Sequence, residues 1–473
     1  MEPWQRARSL GWAALMVTLA GPVLSAGVVV PLAAQTHEVV RVTGPETVRA
    51  AEVSVAIDPT DPKRVLAVAL GRGPEGGPNV TNFAFASRDG GRSWRTVAAP
   101  NPGARTQGDD AIAFDAWGVA FHSYTAFEGL REDRPDRASN GIFVSTSSDG
   151  GFEWSAPVPV IDHVNTTIPF EDKPWIVTDD VEGSPFKGNV YLAWTRFDVY
   201  GSHDPNDSSQ IWFSRSDDGG RSFAMPYRIS DSGGDAVDSD STVEGAVPAI
   251  GPEGQVYVVW AGPKGLVFDR SLDGGWTFGP DRVIARNPGG WDIEVDGLNR
   301  HNGMPVTGVD PSAGPYRGSI YVNWIDERNG DPDVFSIYSR DGGRSWSEPV
   351  RVNDDSVGNG RPQMFTWMAV DPVDGSVNVV FFDRRDTEGT RTGVTVARST
   401  DGGRTFVNHR VNQRPFEPNP ALFSGDYSGI AAYGGRIVAV YPYFVDKTRL
   451  ALYATVFRFR QGTQQTITEP DPG

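Results

Sequence analysis

Ser87-Arg88-Asp89-Gly90-Gly91-Arg92-Ser93-Trp94 decides the fold, because the chain writes this stretch six times. The second copy is Ser147-Ser-Asp149-Gly-Gly151-Phe-Glu-Trp154, the third Ser216-Asp-Asp218-Gly-Gly220-Arg-Ser-Phe223, and the fourth Ser271-Leu-Asp273-Gly-Gly275-Trp-Thr-Phe278. Ser339, Asp341, Gly343 and Trp346 mark the fifth; Ser399, Asp401, Gly403 and Phe406 mark the sixth. Successive aspartates lie 60, 69, 55, 68 and 60 residues apart, a spacing that signals a repeat architecture. Asp followed by Gly-Gly supplies the positive φ angles of a tight reversal. The carboxylate can accept hydrogen bonds from backbone N–H groups that the turn leaves unpaired. The aromatic residue that follows begins the next strand and wedges against a neighbouring sheet. Turn chemistry accounts for every position without a substrate, so these six aspartates read as structural.

Outward from each turn the rest of the unit repeats. A first apolar strand ends in Asp or Gly: Val53–Asp58, Ala111–Asp115, Trp175–Asp179, Val247–Gly251, Val306–Asp310 and Trp367–Asp371. A second strand follows, at Val65–Leu70, Gly118–Tyr124, Val190–Thr195, Gln255–Trp260, Ser319–Trp324 and Val377–Phe382. A third runs into the Asp-Gly-Gly turn and a fourth leaves it. Four short strands per unit is the pattern of a propeller blade. A seventh unit, Tyr427–Tyr433, Arg436–Tyr443 and Leu450–Phe459, has three strands and no such turn. His37–Val42 can supply its fourth strand, closing the ring with chain from both ends and leaving no free edge. The expected fold is all-β: one closed β-propeller of four-stranded blades spanning residues 37–460, with seven blades favoured and six the alternative.

The 473 residues carry 60 acidic against 43 basic side chains, a net −17 that disfavours nucleic acid as a partner. Hydrophobic residues at 38% are enough for a core, and the absence of cysteine excludes disulfides and thiolate chemistry. Arg6 and Arg8 precede an uncharged run from Leu10 to Ala34, which reads as a signal peptide over residues 1–34. The alternative is an uncleaved anchor, since the run is long enough to span a bilayer. The expected location is therefore secreted or periplasmic, with no membrane contact beyond the signal. The polar tail 461–473, with Pro470 and Pro472, is expected to be unstructured.

The Ser-x-Asp-x-Gly-x-x-Trp/Phe repeats, running from Ser87 to Phe406, resemble the Asp boxes of the sialidase (neuraminidase) superfamily of β-propellers. The resemblance implies a glycoside hydrolase acting on glycans, with arginines gripping a sugar carboxylate, a Tyr–Glu nucleophile pair and an Asp acid/base. It makes Tyr427, in Gly425-Asp-Tyr-Ser-Gly429 of the last unit, the nucleophile, and Glu244 the base that takes its proton. The Arg-Ile-Pro motif that supplies the first arginine in such enzymes is absent from the N-terminal unit. Asp boxes also occur in binding propellers, so the alternative is a non-catalytic carbohydrate- or protein-binding propeller; a cation-organised envelope module is a third reading.

Blade geometry puts the beginnings of the innermost strands and the loops between second and third strands on one face, opposite the Asp-Gly-Gly turns. Ligands enter such rings where loops converge. The residues at the inner-strand beginnings are acidic: Glu52, Asp109, Asp110, Glu171, Asp172, Glu244 and Asp426. Crowded carboxylates raise one another's pKa, which a general acid for glycoside cleavage requires. Asp110 and Asp172 are the acid/base candidates. Arg328, Arg361 and Arg385, with Asp426, are the candidate substrate ligands, because guanidinium groups grip carboxylates bidentately. The plain readings stand beside these: Asp383-Arg384-Arg385-Asp386 as a salt-bridge cluster, the acids as a channel lining or cation site, and the repeated tryptophans (Trp175, Trp194, Trp260, Trp324, Trp367) as core. The six histidines show no His-Glu-x-x-His spacing, and there is no Gly-x-Ser-x-Gly elbow or phosphate loop. No cofactor is expected, although the loop Asp231–Asp240 offers oxygen ligands for a structural calcium ion. The expected partner is a glycan or polysaccharide, and the expected state a monomer.

Overall fold

In the computed structural model, which describes residues 37–45, 47–72, 80–130 and 138–459, the Asp of each repeat ties its own hairpin together. The six Ser Oγ atoms donate to the Asp Oδ1 at 2.7–2.9 Å. Each also accepts the N–H of the second Gly at 2.9 Å. Asp89 takes the N–H groups of Arg92 and Ser93, both at 2.9 Å, and the Ser93 hydroxyl at 2.6 Å. Burial pulls up the pKa of Asp341 less than these bonds, led by that from Ser345, pull it down, to about 2. The second Gly has a second reason to lack a side chain. A Cβ on Gly343 would stand 2.4 Å from the Phe268 ring, and one on Gly151 2.3 Å from Leu66, each in the preceding blade.

These hairpins sit in seven four-stranded antiparallel sheets. Six are consecutive runs, whose inner strands are Val48–Ile57, Thr106–Phe114, Phe170–Thr178, Glu244–Ile250, Val306–Val309 and Gln363–Val370 for blades 1 to 6. Blade 7 is built from Gly429–Tyr433, Arg436–Asp446 and Arg449–Arg458, and its outer strand is His37–Arg41. His37 pairs with Phe457 and Arg41 with Tyr453, so the two ends of the described chain complete one sheet. Each inner strand touches that of the next blade, and blade 7 touches blade 1. The molecule is a seven-bladed propeller, and its described residues form one compact unit. The segments read as signal and tail, 1–34 and 461–473, lie outside the described residues. Trp194, Trp260 and Trp324, on second strands, are fully buried between blades.

The structure departs from the sequence reading at the inner strands. Blades 1, 2, 3, 4 and 6 begin theirs three to five residues earlier than apolar alternation suggests. Pairing shifts by one residue, with one extra residue on the inner strand, between Ala51 and Ser54, Gly108 and Ala111, Asp172 and Trp175, Glu244 and Val247, and Met364 and Trp367. Each shift is a β-bulge, which breaks the period-two pattern by which a strand is recognised. Glu52, Asp109, Asp110, Glu171, Asp172 and Glu244 therefore lie within the strands, while Asp426 precedes Gly429–Tyr433.

Candidate functional site

The bulges place the chemistry. Their first residues are Glu52 (φ 54°), Asp109 (φ 52°), Lys173 (φ 48°), Gly245 (φ 74°) and Phe365 (φ 53°), all left-handed. Only Gly adopts this conformation without strain, and non-Gly exceptions persist where surrounding structure enforces them. Here the strain turns Glu52, Asp109 and Lys173 toward the hub. Gly425 is needed for the same packing: at φ 93° its Cβ would meet the Glu52 backbone nitrogen at 2.6 Å.

Lys173 organises the hub. Its ammonium lies 3.1 Å from Asp426, 3.2 Å from Glu244 and 3.6 Å from Asp172, with the Lys side chain 4% exposed. Carboxylates that share one ammonium at such distances stand within twice that distance of each other. Arg300 covers the cluster from outside, gripping both oxygens of Asp426 and lying 3.6 Å from Asp238. The groups respond in opposite directions. Burial would raise Asp426, but Arg300 and Lys173 outweigh it and hold this carboxyl well below the usual range. Burial raises Asp172 to about 7, against the pull of Lys173. Burial raises Glu244 well above its ordinary value, and Glu52 likewise, with Asp109 and Asp426 adding to the latter. Burial alone would depress Lys173; Asp172, Asp426 and Glu244 reverse that, and it stays charged. The hub thus holds an ionised carboxylate beside protonated or half-protonated ones.

Beneath this cluster the axis is filled by rings. Trp175 of blade 3 and Trp367 of blade 6 have centroids 4.4 Å apart, with Tyr427 at 5.4 and 5.6 Å from them. Above it, a cavity of about 490 Å³ is lined by Trp291 to Asn302, Asp238 and Asp426. Its wall is the excursion between blades 4 and 5, tied down by Asp292 N–H to Asp240 (2.8 Å), Trp291 Nε1–H to Asp238 (3.2 Å) and Asn302 Nδ2–H to the Asp426 carbonyl (3.2 Å).

The structure brings Asp172, Glu244 and Asp426 together around Lys173. Asp110 stands elsewhere: it faces into blade 2 against His122, and its neighbour Asp109 takes the hub position, beside Asp172 and the Thr125 hydroxyl. Glu171 likewise turns into its blade, accepting from Trp194 Nε1 at 2.6 Å and Arg196 Nε at 2.8 Å. Tyr427 reaches the hub floor, but its hydroxyl donates to the Asp110 carbonyl at 3.2 Å. Burial, then Glu52 and Asp109, push its pKa well above the tyrosine range.

The three candidate arginines do not join these groups; each is engaged within blades 5 and 6. Arg328 holds Asp326 (2.9 Å) and lies over the Phe335 ring, and Arg361 donates to the Thr387 carbonyl. Arg385 is held between Asp383 (2.6 Å) and Asp354. The hub guanidinium is Arg300, which is not among the arginines selected from sequence. Sequence reasoning passed over Lys173 and the run Asp292-Ile-Glu-Val-Asp296, and met Asp238 only within the loop Asp231–Asp240; the run carried a signal, the alternation of acids with apolar residues. Among the described residues no group of three or more His, Asp or Glu is arranged to hold a metal ion.

No protein-family model and no curated protein matches the sequence. Among solved structures, a protein of unknown function from Dyadobacter fermentans aligns at 14% identity over 89% of this chain and 98% of its own, with a TM-score of 0.51. The α-L-arabinanase of Penicillium chrysogenum aligns at 15% identity over 77% of this chain and 98% of its own, TM-score 0.49. The NanB sialidase of Streptococcus pneumoniae aligns at 10% identity over 89% of this chain and 94% of its own, TM-score 0.48. At such identities the likeness to the Dyadobacter protein extends to the fold and to nothing finer.

Proposed function

We propose that the protein is an exported glycoside hydrolase whose site is the hub mouth around Lys173. One observation carries this reading: Asp172 and Asp426 share an ammonium, yet burial raises the first to about 7 while Arg300 and Lys173 hold the second ionised. Neighbouring carboxyls pushed to opposite protonation states are what acid-assisted glycoside cleavage uses. In this reading Asp172, with Glu244 behind it, donates a proton to the leaving oxygen, and Asp426 or Asp238 faces the oxocarbenium-like centre. A tyrosine nucleophile fits less well, since burial and three acids oppose ionisation of Tyr427. Arginines 328, 361 and 385 have partners of their own, which weakens a sialic-acid clamp. Export rests on the N-terminal basic and apolar run alone.

The test is turnover of a panel of aryl glycosides by the mature chain. Asp172→Asn is expected to lower kcat by about 10²–10⁴-fold, the range for a general acid, with binding retained. A second reading is favoured by one fact: Glu52, Asp172 and Glu244 are at most 7% exposed beneath the Arg300–Asp426 pair. Glycan binding without turnover of any glycoside would make the protein a binding propeller instead.

A further inference from the structure

The cavity above the hub is chemically one-sided. Asp238, Asp292, Glu294, Asp296 and Asp426 line it against a single guanidinium, Arg300, already held by Asp426 and Asp238. Along its wall Ile293 and Leu298 are buried while Asp292, Glu294 and Asp296 are exposed. Among the described residues, no Lys or Arg forms an ion pair with Asp240, Asp292 or Glu294. The carboxyl of Asp292 is raised by burial and then by Asp240, Asp238 and Glu294.

A second feature of the wall is independent of charge. His301 is 2% exposed and lines the same cavity. Its Nε2 accepts the Phe365 N–H at 3.0 Å, so in the neutral ring Nδ1 carries the hydrogen. Burial lowers His301 to about 3, keeping it neutral. Nδ1 has no hydrogen-bond partner among the described residues, and an unsatisfied buried donor is costly unless something accepts from it. Trp291, 6% exposed, completes the wall with an apolar face.

We propose that this cavity takes a sugar unit bearing a free, protonated amine, with the ammonium against Asp292 and Asp238 and a sugar oxygen accepting from His301 Nδ1–H. The inference rests on the glycan reading of the site and adds the class of sugar. A carboxylated sugar would meet five acids with no unengaged cation. A neutral or N-acetylated sugar would leave Asp292 and Glu294 without a cationic partner. Volume favours one or two sugar rings over a polymeric cation, because a pocket of this size encloses a compact ligand.

The experiment is calorimetric titration of the mature chain near pH 6 with the β-1,4-linked glucosamine trisaccharide, its fully N-acetylated form and 3′-sialyllactose. The free-amine trisaccharide is expected to bind about tenfold more tightly than the N-acetylated one, a modest preference because the acids are partly solvated. The preference should shrink as salt rises from about 20 mM to about 500 mM. In the Asp292→Asn/Glu294→Gln double variant, whose changes are at exposed positions, it should fall to about twofold or less. Equal or tighter binding of the N-acetylated or sialylated ligand overturns the amine preference while leaving the glycan reading intact, as does a preference that survives the double substitution. Failure of all three to bind overturns both.

Discussion

Lys173 is the residue on which the hub depends. Three carboxyls within 3.6 Å of one buried ammonium form a unit, and removing the cation leaves charge buried without compensation. Lys173→Met is expected to destabilise the protein by about 3–5 kcal/mol at pH 8. The loss should be smaller at pH 5, where Asp172 and Glu244 are protonated and no longer repel; urea melts at the two pH values measure both. An equal loss at both values would mean that packing of the lysine stem, rather than its charge, stabilises the hub. Nothing in the sequence marks this lysine out, since one Lys among acids reads as a solvated charge. The acids themselves were legible as a set but not one by one. The bulge at Asp109 decides that this residue faces the hub and Asp110 faces His122, and a one-residue shift of that kind leaves no trace in composition.

At the scale of the element, the Ser-x-Asp-Gly-Gly hairpin was readable because its chemistry is local. Ser, Asp and Gly meet their partners within four residues, as the repeated bonds from Ser87 to Ser399 show. What local chemistry does not reveal is that the second Gly is itself an inter-blade contact. Two substitutions separate these roles. Gly219, at φ 75°, has open space where a Cβ would go, so Gly219→Ala should lose only about 1–2 kcal/mol to left-handed strain. Gly343→Ala adds a collision with Phe268 and should lose a further ~1–3 kcal/mol. Equal losses in denaturant unfolding would mean that the Phe268 ring yields freely. The inner strands were less legible for the opposite reason. Their bulges break apolar alternation, so the eye starts each strand after the interruption and leaves the functional residues outside it.

For the whole molecule, two groups of carboxyls set the response to pH. Burial raises Asp172 and Asp269 to about 7. These folded values exceed the unfolded ones, so their contribution is full below about pH 4 and is lost as pH rises through about 7. Asp218, Asp273 and Asp341 are held at about 2, burial being outweighed in the first two by their hydroxyl and backbone bonds. Their contribution is present above about pH 4 and lost as pH falls through about 2. Thermal midpoints are therefore expected to be highest near pH 4–5 and to decline toward pH 8, with Asp172→Asn flattening that decline. A midpoint that rises steadily to pH 8 would contradict the assignment. The seventh blade makes its own prediction. Removing residues 37–42 exposes the edge of Arg449–Arg458, and size-exclusion chromatography should then show dimers or larger species.

The pairing of His37 with Phe457 also fixes an order of events. The sealing strand is synthesised before any blade and must wait until the last hairpin is made and delivered. Blades 1 to 6 can collapse one after another as they appear, each hairpin lodging on the blade before it. Blade 7 cannot, and until it does the first and sixth blades each present a naked flank. Shutting the wheel is a contact between the first and last strands of the propeller, a long-range pairing of the kind that is slow to find. The step most exposed to aggregation is thus the final one, and the hub cluster, assembled from blades 1, 2, 3, 4 and 7, becomes whole only when it is finished.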